Sequence, residues 1–421
     1  MQKDRARRGL KVLVVGGGIG GLCLAHGLRA AGVRVAVYER DPSVAARNQG
    51  YRLHISPEGE QAMRDCLPPR VVELISATSN VRYGTGLAAY DEQLSPKWAP
   101  TFDDPRAGDP DKIDSVDRIT LRHALLAGLD DVVHFGHRLV GHEVLPDGRV
   151  VAHFDGGGRA TGDVLVAADG ANSRVREQYA TTARPRDLGI RTIFGRIPMS
   201  DALHAQMSDR LRDRFSYVLG SDGYHVGMMP MVFRNPPRQA AARLWPGLPM
   251  DAGGDYYMCV FNIHTELLDI DDDRLFTLSG RQLWDLVMAR TAAWHPELRA
   301  VLAQADTSAS FAVAMRATDP VEPWDTPPSV VPLGDAVHTM PPSGGVGANT
   351  ALRDASGLTR ALAAVDRGEQ ELATAVADYQ AAMVKYATES VTMSLRIAQW
   401  SIPNVAAPPA ANTAAPPAAG R

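Results

Sequence analysis

Lysine is scarce in this chain. The 421 residues carry only Lys3, Lys11, Lys97, Lys112 and Lys385, and none lies between Ile113 and Val384. The formal net charge of −4 leaves no basic surplus, which argues against nucleic acid or an anionic membrane surface as a partner. Cysteine is equally sparse. Cys23, Cys66 and Cys259 are odd in number and scattered, so neither a disulfide framework nor zinc spacing is present, and the compartment reads as reducing cytoplasm. No apolar run approaches the ~20 residues of a membrane span. Arg5, Arg7 and Arg8 before an apolar run imitate a signal peptide, but the glycines and strand that follow make that run part of the fold. No internal repeat, metal cluster or nucleophile–histidine–acid arrangement is visible.

What is present begins with Lys11 to Arg40, KVLVVGGGIGGLCLAHGLRAAGVRVAVYER. A short apolar run reads as a buried strand, a helical pattern follows to Gly32, and a second apolar run ends on Glu39. Gly16, Gly18 and Gly21 hold the G-x-G-x-x-G spacing. Gly16 permits a tight turn, Gly18 lets the backbone approach a pyrophosphate, and Gly21 brings helix and strand together. The helix N-terminus faces the phosphates, and Glu39 is placed for a ribose diol. The context of strand, turn, helix, strand and acid makes this a dinucleotide site.

Length allows two or three units. Mixed α/β patterning through residue 188 gives way to alternating strands from 189 to 319, namely Ile190 to Ile197, Phe215 to Leu219, Tyr224 to Pro230 and Tyr256 to His264, with helices at Ser279 to Ala293 and Pro296 to Gln304. Residues 320–368 return to the first unit with a strand at Ser329 to Gly334 and a helix from Gly347 to Ala363. Residues 369–402 form a long helix, and 403–421, rich in Pro and Ala, read as a disordered tail. Met1 to Gly9 reads as frayed, Gly50 to Ile55 and Val81 to Tyr90 as strands, and Asp91 to Asp117 as a surface loop.

Two further motifs follow in order: DVLVAADGANSRVR from Asp163 to Arg176, and VPLGDAVHTMPPSGGVGANTALRDASGL from Val331 to Leu358. With the glycine turn they resemble the class A flavin monooxygenases, the para-hydroxybenzoate-hydroxylase-like enzymes, over roughly Lys11 to Trp400. The nearest flavour is the tetracycline-inactivating and polyketide-tailoring branch. The resemblance implies an α/β fold: a Rossmann-like FAD-binding domain, a mostly antiparallel substrate domain and a long C-terminal helix. It implies FAD as cofactor and NADPH or NADH as a transient donor. Asp335 would bond a ribityl hydroxyl. Pro341 and Pro342 would stiffen a loop along the flavin ring, and Gly345, Gly347 and Ala348 would bring backbone amides to it. Asn349 would open a helix aimed at the pyrimidine end, where its dipole favours negative charge. The usual Gln between the two glycines is Val346 here. Arg40, Arg47, Arg118, Asp169 and the backbone at Leu139 complete the implied cofactor set, with Arg122 the lesser partner of Arg118. For Asp169, Ser173 and Arg176 a structural role in the turn remains open.

The same resemblance implies an oxygen atom taken from O2 through a flavin C4a-hydroperoxide and given to an aromatic or polyketide-like small molecule, with the flavin carrying the chemistry. The substrate would lie between flavin and antiparallel sheet, near Phe194, Tyr217, His225, Met229 and Pro341, with His225 the one titratable candidate for deprotonating a phenol. A halogenase would need a mid-chain W-x-W-x-I-P and a catalytic lysine, both missing. A flavin reductase, a protein keeping FAD only for structure, and epoxidation or Baeyer–Villiger insertion remain as alternatives. The protein is expected as a cytoplasmic monomer or homodimer.

Overall fold

The computed structural model describes residues 9–46, 50–81, 86–99, 109, 112–179, 184–212, 214–250 and 253–401. Arg47, the 403–421 tail and all of the frayed start but Gly9 lie outside these residues.

Lys11–Val15 is the middle of a five-stranded parallel sheet. The order across it is Val330–Pro332, Val164–Ala167, Lys11–Val15, Arg34–Tyr38, Val133–His134. Val12, Leu13, Val14 and the whole of Val164–Ala167 are inaccessible to solvent, as strands covered on both faces must be. Gly16 ends the first strand at φ +112°, and a Cβ there would sit 2.2 Å from the Ala168 carbonyl oxygen. Only glycine makes that turn. The chain then enters the helix Ile19–Ala30, where a Cβ on Gly21 would lie 2.2 Å from the Gly16 oxygen. Two late helices close the unit, Gly347–Asp366 and the 30-residue Leu372–Ser401. The second is pinned where Tyr379 Oη donates to the Pro332 carbonyl at 3.1 Å and Ser394 Oγ donates to the Ser343 carbonyl at 2.9 Å.

The second sheet has seven strands: Asp306–Ala317, Arg186–Pro198, Tyr256–His264, Tyr224–Met231, Phe215–Leu219, Leu87–Asp91 and Pro96–Trp98. One face packs its Ile193, Phe261 and Val226 against Trp284 and Leu298 of the helices Gly280–Arg290 and Pro296–Leu302. The other face carries Phe194, Met229, Met258 and Val260 and turns toward the first unit.

Three details differ from the sequence reading. Leu87–Asp91 is hydrogen-bonded in parallel to Phe215–Leu219, so a strand from early in the chain completes the later sheet. A parallel pairing leaves no hairpin turn in the sequence to reveal it. Asp306–Ala317 is a full strand, hidden because its many Ala and Ser residues blur the alternation. The loop expected over Asp91 to Asp117 contains the strands Pro96–Trp98 and Ser115–Asp117, the latter paired with Arg52–His54.

Candidate active site

A cleft of about 1760 Å³ runs from the glycine turn to the inner face of the seven-stranded sheet. At its first end, Glu39 is buried and its Oε2 accepts from the Gly17 N–H at 2.8 Å, while Oε1 accepts from the Asp41 N–H at 2.9 Å. Arg122 lies 3.6 Å from Glu39 and 3.7 Å from Asp41 and donates from Nε to the Gly17 carbonyl at 3.1 Å. The carboxylate thus shapes the glycine turn and keeps lone pairs for a ligand. Gly18 has open space where its Cβ would be. Tyr38, stacked on Phe154 at 4.5 Å, together with Arg40 and Leu139, lines the outer wall.

Among the helix N-termini, Pro69–Ala77 and Pro237–Leu244 start on proline and carry no side-chain cap. Pro57–Cys66, Arg118–Leu126, Arg174–Gln178 and Gly280–Arg290 are each capped by a side chain, from Ser56, Asp117, Ser173 and Ser279. Ile19–Ala30 and Gly347–Asp366, whose first turns line the cleft, have no side-chain cap. Their leading N–H groups and dipoles are left for a ligand.

Between those helices stands Asp335. Its carboxylate makes no hydrogen bond among the described residues, and protein encloses it on every side but the cleft. Burial raises its pKa, with His338 and Arg118 opposing. Behind it, buried Asp354 Oδ2 accepts from His338 Nε2 at 2.7 Å and from the Gly334 N–H at 2.8 Å. Tyr386 Oη donates to the other Asp354 oxygen at 2.7 Å. Pro341, Pro342, Gly345, Gly347 and Ala348 follow along the same wall. Open glycine turn, uncapped helices and an unpaired carboxylate fit a dinucleotide that carries a phosphate bridge and a hydroxylated chain.

Most of the sequence candidates converge here: Gly16, Gly18, Gly21, Glu39, Arg40, Arg118, Leu139, Asp169, Asp335, Phe194, Tyr217, His225 and Met229 all line the cleft. Asn349 does not. The helix begins two residues earlier, at Gly347, and the Asn349 amide points back into the protein. Its Nδ2 donates to the carbonyls of His54 and Gly345 at 2.9 Å each, and its Oδ1 accepts from the Ser56 N–H at 2.9 Å. Asp169 uses Oδ2 to accept from the Arg174 N–H at 2.8 Å, and burial raises its pKa despite that bond. Arg176 Nη1 donates to the Ala336 carbonyl at 2.7 Å, tying the second motif to the third. Arg118 sits over the Tyr51 ring at 5.6 Å.

His225 is corrected in its role. It is buried, and desolvation pushes its pKa down to about 3. A group so reluctant to take a proton is a poor base for a phenol. Its Nε2 already accepts from Asn262 Nδ2 at 2.7 Å. The sequence reading missed Tyr51 and Phe311, which stack on Phe194 at 5.0 and 5.2 Å. It also missed Arg52 and Asp114, which face the cleft 3.6 Å apart. Arg52, His54 and Lys112 hold the Asp114 carboxyl low against the opposing effect of burial. No local pattern marks these residues; they meet only through tertiary packing.

Family models match residues 301–392 as an FAD binding domain and residues 14–64 as an NAD(P)-binding Rossmann-like domain. A solved protein of Photorhabdus luminescens, described as an FAD-containing monooxygenase, is 30% identical, covers 94% of this chain and 100% of its own, and superposes with a TM-score of 0.79. The dual O-methyltransferase/FAD-dependent monooxygenase elcB of Phaeosphaeria nodorum is 31% identical over 87% of this chain but only 42% of its own length. The aurachin C monooxygenase/isomerase of Stigmatella aurantiaca is 28% identical over 93% of this chain and 90% of its own. The chain thus spans less than half the length of the dual-function relatives it matches.

Proposed function

The chain belongs to the class A FAD-dependent monooxygenases, and from that premise we propose that it uses FAD, NADPH or NADH, and O2 to hydroxylate an aromatic or polyketide-like small molecule. The observation that carries this reading is the single cleft that joins the glycine turn and Asp335 to the aromatic patch of Tyr51, Phe194 and Phe311. Bound FAD supplies the redox chemistry, accepting a hydride from the nicotinamide and activating dioxygen. The chain's own residues bind and orient. Glu39 takes the ribose diol, Asp335 the ribityl hydroxyls, and the first-turn N–H groups of Ile19–Ala30 the pyrophosphate. The uncapped end of Gly347–Asp366 favours negative charge at the pyrimidine edge. The apolar floor keeps water from the reacting face. Arg118, Arg40, Leu139 and Asp169 border the cofactor, while Pro341, Phe194, Tyr217 and Met229 border the substrate. None of the described helices is long and apolar enough to cross a membrane. The same reading makes the protein a cytoplasmic monomer or homodimer.

The test is a visible spectrum of the purified protein, then NADPH and NADH oxidation with a panel of polycyclic phenols and quinolones. The expected result is a yellow protein whose oxidation rate rises with one compound and yields a product one oxygen atom heavier. Peroxide formation with every compound would move the protein to the reductases. A colourless protein that cannot be reconstituted with FAD would overturn the reading at its first step.

A further inference from the structure

Three polar side chains form a row across the cleft side of the seven-stranded sheet. Thr192, Asn262 and His225 are register partners on adjacent strands, and therefore share one face. Thr192 Oγ1 donates to Asn262 Oδ1 at 2.7 Å, and Asn262 Nδ2 donates to His225 Nε2 at 2.7 Å. With the Nε2 lone pair so used, the imidazole proton resides on Nδ1. Nδ1 has no partner among the described residues and is closed to solvent, so an acceptor reaches it only as a neighbouring side chain gives way; His225 and Asn262 both line the cleft. A buried N–H without an acceptor is costly. The row spends two hydrogen bonds to hold that donor in one orientation.

The neighbouring positions are of the opposite kind. Two residues along the strands, the register places Phe194, Val260 and Gly227 side by side, and two further along come Met258 and Met229 with Arg196, whose guanidinium is turned onto Asp117 and does not line the cleft. Each step is about 7 Å, so polar row to methionines spans roughly 13 Å, the reach of two or three fused rings. The side chains of these rows that line the cleft are all uncharged. At Gly227 a Cβ would find nothing nearer than 3.5 Å, so the middle of the floor is level and a ring can lie on it.

We propose that the Thr192–Asn262–His225 row holds a carbonyl oxygen of the substrate through His225 Nδ1–H. The substrate is then an uncharged, planar, fused-ring aromatic ketone whose rings lie on the Phe194, Gly227 and Met229 rows. This rests on the monooxygenase reading. His225 is the binding donor, Asn262 orients it, and Thr192, which does not line the cleft, positions Asn262.

The test uses the FAD-loaded enzyme and three probes: xanthone, xanthene, which has the same skeleton without the carbonyl, and xanthone-2-carboxylate. Binding is read from perturbation of the flavin spectrum, and the quantity compared is the ratio of xanthone to xanthene affinity. Wild type is expected to favour xanthone by about tenfold, the value of one well-placed hydrogen bond, and to reject the carboxylate. His225→Phe, which keeps the ring volume, should bring the ratio to about one. Thr192→Val should lower it by about threefold. General damage to the fold would weaken both probes and leave the ratio unmoved. A wild-type ratio near one, a preference that survives His225→Phe, or equal binding of the carboxylate would overturn the proposal while the flavin spectrum still stood for the monooxygenase. Loss of FAD binding itself would instead overturn the underlying reading.

Discussion

Replacing Asn349 with aspartate changes one atom type in a side chain of the same shape, and it should cost the protein dearly. In the native protein the Asn349 amide is a bracket. Its nitrogen serves the carbonyls of His54 and Gly345, and its oxygen serves the Ser56 N–H, each at 2.9 Å. Those three groups belong to the strand Arg52–His54, the turn before Gly347–Asp366 and the cap of Pro57–Cys66. Asn349→Asp keeps the acceptor and removes both donations, leaving two carbonyl oxygens against a carboxylate. At about 1–3 kcal/mol for each partner left unsatisfied, the loss is about 4 kcal/mol. That is a large part of the ~5–15 kcal/mol by which proteins are stable. Asn349→Ala, which leaves room for water, should lose about 2 kcal/mol. The assay is urea unfolding followed by circular dichroism, with flavin fluorescence reporting cofactor release on the same samples. In Asn349→Asp flavin should leave at lower urea than the global transition, because the bracket holds one wall of the cleft. The deficit should narrow in acid, since a protonated aspartate regains one donor. Stability within about 0.5 kcal/mol of wild type, with flavin retention unchanged, would refute the reasoning.

Two further outcomes follow from the same structure. Gly18→Val points its side chain into open cleft, so flavin affinity should fall by about a hundredfold or more with stability changed by no more than about 1 kcal/mol; Gly16→Ala, with φ +112° and a carbonyl in the way, should instead lower the yield of folded protein, and parallel measurement of thermal midpoint and flavin content separates the two. His26 is buried with Nε2 2.9 Å from the Leu125 carbonyl, and desolvation lowers its pKa to about 4. The unfolded chain binds the proton near pH 6.5, so this contribution is complete above that value and is lost as pH falls toward 4, to a total of roughly 3 kcal/mol; His26→Gln should flatten the fall in the urea midpoint between pH 7 and 4.5, and an unchanged slope would refute the assignment.

The parts of the site that were legible in the sequence are those in which one short stretch does a complete job. Gly16 to Gly21 carries strand end, turn and helix start together, and Asp335 follows a buried strand at once. The sheet floor is another matter. Phe311 meets Phe194, and His225 meets Asn262, across strands that are distant in sequence, and alternation cannot say which strand will be the neighbour. Arg122 and Arg118 lie one helical turn apart, so both reach the cleft, and the sequence could not tell which would be drawn to Glu39. His225 looked like a base because it is the titratable residue in the region; its burial, which makes it a fixed donor instead, is a tertiary property. Asn349 looked like part of the ligand wall because of its motif, whereas its amide is occupied with backbone on three sides.

The position of the long final helix has a consequence for synthesis. Ile397 near its end lines the same cleft as Gly16, and Ser394 holds the carbonyl of Ser343. The cleft is therefore made from residues that leave the ribosome about 380 positions apart, some 20–80 s at ordinary rates of elongation. Throughout that interval the glycine turn waits with the unmet N–H groups of the helix Ile19–Ala30 and no wall opposite. Cofactor capture therefore waits for the helix Leu372–Ser401, and a yellow colour would report that this helix has docked.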